Sequence, residues 1–115
     1  MLNVIRIDHV SLNAADRPRT LDWYAQVLGL SGNRHDRLDE PVFLGPDKAQ
    51  LGIFGDEAPG LKHIAIATDE ASQRALVARL ETLGIPYTPE RHRSSFSIYF
   101  ADPDGARLEV LVPTV

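Results

Sequence analysis

The sequence predicts one α+β domain: two βαβββ modules pairing into a curved mixed sheet around a cleft, with the helices outside. Three features lead there. A strand-like run with histidine in third place occurs twice, each copy leads into a helical period stopped by glycine, and a Pro-containing turn parts the last two strands of each half. A chain of 115 residues can bury one core but not two independent ones, so neither half covers its apolar face alone.

Taken in order, Ile7-Asp8-His9-Val10-Ser11-Leu12 opens the first half and Ala15-Asp16 is suited to capping a helix. Leu21, Tyr24, Val27 and Leu28 then recur at helical spacing until Gly29-Leu30, where glycine accepts the left-handed conformation that ends a helix. Pro41-Val42-Phe43-Leu44 and the run from Ala49 to Phe54 read as strands, parted by the turn Gly45-Pro46-Asp47-Lys48. Gly55 to Gly60, with Pro59, reads as the linker. The second half repeats the plan: Leu61-Lys62-His63-Ile64-Ala65-Ile66, the cap Thr68-Asp69-Glu70, the period Leu76, Val77, Leu80, Leu83, and the stop Gly84-Ile85. Phe96 to Ala101 and Arg107 to Val112 follow as strands around Asp102-Pro103-Asp104-Gly105. The modules span about 4–55 and 61–113. Histidine precedes the stop glycine by 20 residues in one and 21 in the other.

Composition narrows the partners. The formal charge is −4, from 12 Lys+Arg and 16 Asp+Glu, and the basic residues are scattered among acids. That excludes nucleic acid and anionic membranes as the main partner and leaves a small molecule. Apolar runs reach only about five residues, and the N-terminus lacks a signal-peptide layout, so a cytoplasmic protein is expected. With no cysteine there is no disulfide, thiolate nucleophile or sulfur ligand. A metal here must be held by His, Asp, Glu or amide oxygen.

Strand alternation selects the candidates. Val10, Leu12, Ile64 and Ile66 should pack under the helices, leaving His9, Ser11, His63 and Ala65 on the opposite face. In the last strand Leu108, Val110 and Val112 read as helix-facing, so Arg107, Glu109 and Leu111 share the other side. His9, His63 and Glu109 together make a two-imidazole, one-carboxylate set that can hold a divalent metal with positions left open. Ser11, Gln50 and Arg107 on the same face are candidate substrate contacts. Aligning Leu51-Gly52-Ile53 with Leu108-Glu109-Val110 puts Gly52 where a fourth ligand would stand, so three protein ligands are expected. His35 reads as a loop residue outside this set.

The repeat, the Tyr24 to Leu30 stretch, and Tyr99-Phe100-Ala101-Asp102-Pro103-Asp104-Gly105 with Glu109 resemble the vicinal oxygen chelate superfamily of glyoxalases, bleomycin-resistance proteins and extradiol dioxygenases. The resemblance runs over nearly the whole chain and implies paired βαβββ modules around a metal cleft. Glyoxalase I enzymes bind metal through four protein ligands, which Gly52 disfavours. Fosfomycin-resistance thiol transferases use two His and one Glu, matched by His9, His63 and Glu109, but carry an arginine beyond the point where this sequence stops. The extradiol signature is matched by His92, Ile98-Tyr99, Asp102-Pro103-Asp104-Gly105 and Glu109, with Arg91 departing from it and a further catalytic histidine unplaced. By that resemblance His92 and Tyr99 are catalytic hydrogen-bonding partners, and Fe(II) or Mn(II) is favoured, with Zn(II) or Ni(II) as alternatives. Extradiol oxygenation of a substrate with adjacent oxygens leads over lyase, isomerase or thiol-transfer chemistry, and over metal-free ligand sequestration. A homodimer is expected, with modules paired across subunits as one arrangement.

Overall fold

A computed structural model describes residues 2–47, 49–55 and 57–114. Lys48 of the first expected turn and Asp56 of the expected linker lie outside them. The elements run β1 (Arg6–Ala14), α1 (Arg17–Leu28), β2 (Val42–Leu44), β3 (Gln50–Gly55), β4 (Gly60–Ala67), α2 (Glu70–Leu83), β5 (Thr88–Arg91), β6 (Ser95–Ala101) and β7 (Arg107–Pro113). Seven strands and two helices of mixed pairing make the expected α+β fold. Two compact units divide inside β1: His9–Lys62 forms one, and the residues through Asp8 join His63 onward in the other.

In the His9–Lys62 unit the strands are ordered β2-β3-β1. β1 runs parallel to β3, with His9 opposite Gln50 and Ser11 opposite Gly52. β2 runs antiparallel to β3, with Phe43 opposite Gly52. Helix α1 starts where the Asp16 carboxylate accepts from the Arg19 amide at 3.2 Å and ends at Gly29, whose φ is 68°. Its Leu21 packs with Ala14, Val42, Leu44 and Ile53, and Leu12 and Tyr24 lie against that cluster. Burying Leu44 or Ile53 fully stabilises the fold by about 1.5–3 kcal/mol each.

Only two strands follow α1, so the first half is βαββ rather than βαβββ among the described residues. The segment after α1 is held by Arg17, 2% exposed, whose guanidinium donates to the carbonyls of Glu40 at 2.7 Å, Arg37 at 3.0 Å and His35 at 3.1 Å and so satisfies backbone groups outside any ladder.

In the other unit the order is β4-β7-β6-β5. Its first residues belong here because Ile5 donates to the Ala67 carbonyl at 2.9 Å and the Asn3 amide bonds the Asp69 carboxylate at 2.8 Å. Asp69 in turn caps α2 through the Ser72 amide at 2.7 Å, and Gly84 (φ 69°) ends the helix. Buried Gln73 pins α2 to the sheet, its amide donating to the carbonyls of Phe96 and Val110 at 2.9 and 3.0 Å. β5 has no counterpart in the sequence reading. Its four residues, Pro89 among them, are all exposed on the sheet edge, where proline costs no ladder bond. The histidine side of β4 is the better buried one: His63, Ala65 and Ala67 are buried, whereas Ile64 and Ile66 are half-buried.

Candidate functional site

A five-residue turn, Asp102 to Ala106, sets the geometry of the second half. The Asp102 carboxylate accepts from the amides of Asp104 and Ala106, both at 2.9 Å, and the Asp102 amide donates to the Ala106 carbonyl at 2.9 Å. This closed turn fixes the antiparallel pairing of β6 with β7, so that Tyr99 faces Glu109 and Ser97 faces Leu111. Parallel pairing of β4 with β7 puts Ala65 opposite Glu109, and His63 lies one pleat earlier on the same side.

Five polar side chains converge as a result. The His63 Nε2 is 3.1 Å from Glu109 Oε1, and the Ser97 hydroxyl donates to Glu109 Oε2 at 2.6 Å. Ser97 and Glu109 are 0% and 3% exposed, so this carboxylate is held dry and oriented from two sides. The Tyr99 hydroxyl is 2.7 Å from His92 Nε2, which lies 3.9 Å from Glu109 Oε2. Burial first, and then the nearby Glu109 carboxylate, push the Tyr99 phenol well above its ordinary value. The phenol therefore keeps its proton, with His92 Nε2 and the Glu109 carboxylate both within its reach. The β5–β6 connection holds His92 in place through its amide, which donates to the Ser95 carbonyl at 2.8 Å.

In the His9–Lys62 unit, His9 is half-buried on β1 with the Phe43 ring edge-on to it, centroids 5.3 Å apart. Ser11 is fully buried and Gln50 half-buried, both in the strand pairing that holds His9. Gly52 not only lacks a ligand atom but stands in a crowded place. A Cβ there would meet the Phe43 ring and the Ser11 hydroxyl, each at 3.0 Å. Arg107 is exposed at the start of β7. His35 is tied into its loop, its Nδ1 accepting from the Arg37 amide at 3.2 Å and its Nε2 donating to the Pro41 carbonyl at 3.0 Å.

Ser97 and Phe43 were not singled out from sequence. The signal for Ser97 was available: it shares strand parity with Tyr99, and the Asp102 turn places both beside Glu109. Phe43 could be found only through its pairing with Gly52.

The family model for the Glyoxalase/Bleomycin resistance protein/Dioxygenase superfamily matches residues 6–110. The chain is 26% identical over 114 aligned residues to glutathione transferase FosA of Serratia marcescens, covering 92% of this chain and 79% of that protein. It is 28% identical over 123 aligned residues to biphenyl-2,3-diol 1,2-dioxygenase 3 of Rhodococcus globerulus, covering 93% here and 63% there. Methylmalonyl-CoA epimerase from Mycobacterium tuberculosis superposes with TM-score 0.76 at 21% identity, over 100% of this chain and 94% of the other. A catechol 2,3-dioxygenase superposes at 0.82 with 19% identity, over 100% here and 41% there. The chain thus spans less than two thirds of either dioxygenase, and likeness at such identities shows the fold alone. No helix among the described residues is long and apolar enough to cross a membrane.

Proposed function

This chain belongs to the glyoxalase/bleomycin resistance protein/dioxygenase superfamily, and on that premise we propose that it is a small-molecule metalloenzyme whose divalent ion is held by His9, His63 and Glu109. One observation carries the reading: His63 Nε2 and the Glu109 carboxylate face one another at 3.1 Å on neighbouring strands, and His9 stands at the repeat-equivalent position of the other half. The donor set fits. Two imidazoles and a carboxylate suit Fe(II) or Mn(II), with Zn(II) or Ni(II) as alternatives, and leave positions for substrate. The Ser97 hydroxyl on Glu109 is the kind of outer contact that orients a ligating carboxylate. When bound, the ion supplies Lewis-acid and one-electron chemistry at two adjacent substrate oxygens.

The chain's own groups favour extradiol-type oxygenation within this class. Tyr99, kept protonated, donates a hydrogen bond to a substrate oxygen as negative charge builds there. His92, in contact with that phenol and with its side chain 37% exposed, takes up or returns a proton at Nε2 and links the reaction to solvent. Ser11, Gln50 and Arg107 serve as substrate contacts. The working form is a cytoplasmic homodimer, with modules paired across subunits as one arrangement. Light scattering that returned a monomer would remove the dimer and leave the metal site untouched.

Thiol transfer is the second reading, favoured by the likeness to a glutathione transferase along most of both chains. Anaerobic loading with Fe(II), then a catechol and air, separates the two. Oxygen uptake with a yellow ring-opened product supports oxygenation, and loss of glutathione thiol with an electrophile supports transfer. Protein that takes up no stoichiometric metal overturns both.

A further inference from the structure

A cavity lies wholly within the His9–Lys62 unit and carries information about the substrate. It holds about 320 Å³ and is lined by Ser31, Gly32, Asn33, Pro41, Phe43 and Gln50, among others. That is the low end of small-molecule pockets, enough for a ring-sized group. Two of its walls also flank His9. Gln50 is the strand neighbour paired with His9, and Phe43 presents its ring edge to the imidazole. The cavity therefore opens beside a proposed metal ligand.

Its chemistry is neutral. One hydroxyl, two carboxamides, a proline ring and a phenyl ring face it, and no ionisable side chain is among the described lining residues. The surrounding cations are committed elsewhere. Arg17 is spent on backbone carbonyls, Arg34 pairs with Asp22 at 2.7 Å, and Arg37 pairs with Glu40 at 2.9 Å. A carboxylate or phosphonate seated here would lose water without gaining a counter-charge, whereas an amide or hydroxyl would find matching donors and acceptors. The cavity is also built by close backbone approach. A Cβ on Gly32 would come within 1.8 Å of the Phe43 carbonyl oxygen, so only glycine lets the 29–41 segment lie against β2.

We propose that this cavity binds an uncharged, hydrogen-bonding, ring-sized substituent of the substrate, and that the enzyme selects neutral over anionic substrates through it. The proposal rests on the metal-site reading for the adjacent oxygens but concerns a different part of the ligand. The test uses catechol carrying a carboxamide, and the same ring carrying a carboxylate or a phosphonate, titrated into the full chain by calorimetry. Metal content is measured on the same samples. The carboxamide should bind at least about tenfold tighter than either anion, and Asn33→Lys or Ser31→Lys should reverse the order. Both sites are exposed, and circular dichroism checks that each variant folds. Equal affinities, tighter binding of an anion, binding by no member of the series, or an order unchanged by either lysine overturns the proposal. Its failure with metal present leaves the metalloenzyme reading intact. The preference surviving in protein that holds no metal would sink that reading and keep this one.

Discussion

Ser97 donates a 2.6 Å hydrogen bond to the Glu109 carboxylate from a position with no solvent exposure. The other carboxylate oxygen faces His63 at 3.1 Å, so in the proposed metal site that oxygen is the one left to act as a ligand. Ser97→Ala should weaken metal affinity by about 10–100-fold while the fold survives, the usual cost of losing an outer contact to a ligand. Chelator competition measures it. Unchanged affinity would reduce Ser97 to a packing residue.

Removing a ligand should act more severely. His9→Ala, His63→Ala and Glu109→Ala should each lose most of the bound metal, and His35→Ala should lose none because both its nitrogens are engaged in its own loop. Binding should also weaken in acid, since an imidazole must be neutral to ligate. Elemental analysis after gel filtration reads all four variants. Full occupancy in His63→Ala would remove the proposed triad.

Tyr99→Phe should slow turnover about 10²-fold at unchanged metal content, because it deletes one donor to the reacting oxygens and nothing that holds the ion. His92→Ala should lower the rate as well, by about 10²–10⁴-fold, and should alter the acid side of the pH–rate profile. Wild-type rates in Tyr99→Phe would assign the phenol to structure alone.

Acid stability has a separate origin at Asp69. The Asn3 side chain, followed by the Ser72 amide, holds its carboxyl below the ordinary aspartate value. A depressed folded-state value means the contribution is complete above the unfolded value and is lost as pH falls through the folded one. Urea midpoints of the wild type should therefore drop below about pH 4, and those of Asp69→Asn should be lower at neutral pH yet flatter with pH. Asn3→Ala should lower the midpoint at neutral pH and make the acid loss smaller, because the folded value moves up towards the unfolded one. Parallel curves for all three proteins would exclude this account.

Arg17→Met should destabilise the fold by about 1–3 kcal/mol for each buried carbonyl left without a donor. The Glu40, Arg37 and His35 carbonyls are the ones exposed to that loss. Chemical denaturation gives the magnitude, and faster proteolysis between 35 and 41 would localise it.

Much of this architecture is legible in the sequence because it rests on local rules. Asp16 and Asp69 cap helices, Gly29 and Gly84 end them, and period-2 alternation puts His63 and Glu109 on one side of their strands. What escaped depends on pairing between distant segments. Ser97 looks like an outward polar residue until β7 lies beside it. β5 carries Pro89, which argues against a strand unless its place at the edge is known. Arg17 reads as one more charge at a helix start, and its burial follows only once residues 35–40 fold over it. Gly52 was identified as a missing ligand, but the Phe43 ring that crowds it comes from another strand.

The turn from Asp102 to Ala106 is exposed, so most substitutions there, outside Asp102 itself, should be harmless. Its length is another matter. Deleting or inserting one residue would rotate every β6 side chain to the opposite face. Ser97 and Tyr99 would then leave Glu109, and Phe96, Ile98 and Phe100 would take their side of the strand. Mutational scanning by substitution alone would score this loop as permissive, whereas a scan of single-codon insertions and deletions should find it among the least tolerant surface segments of the chain.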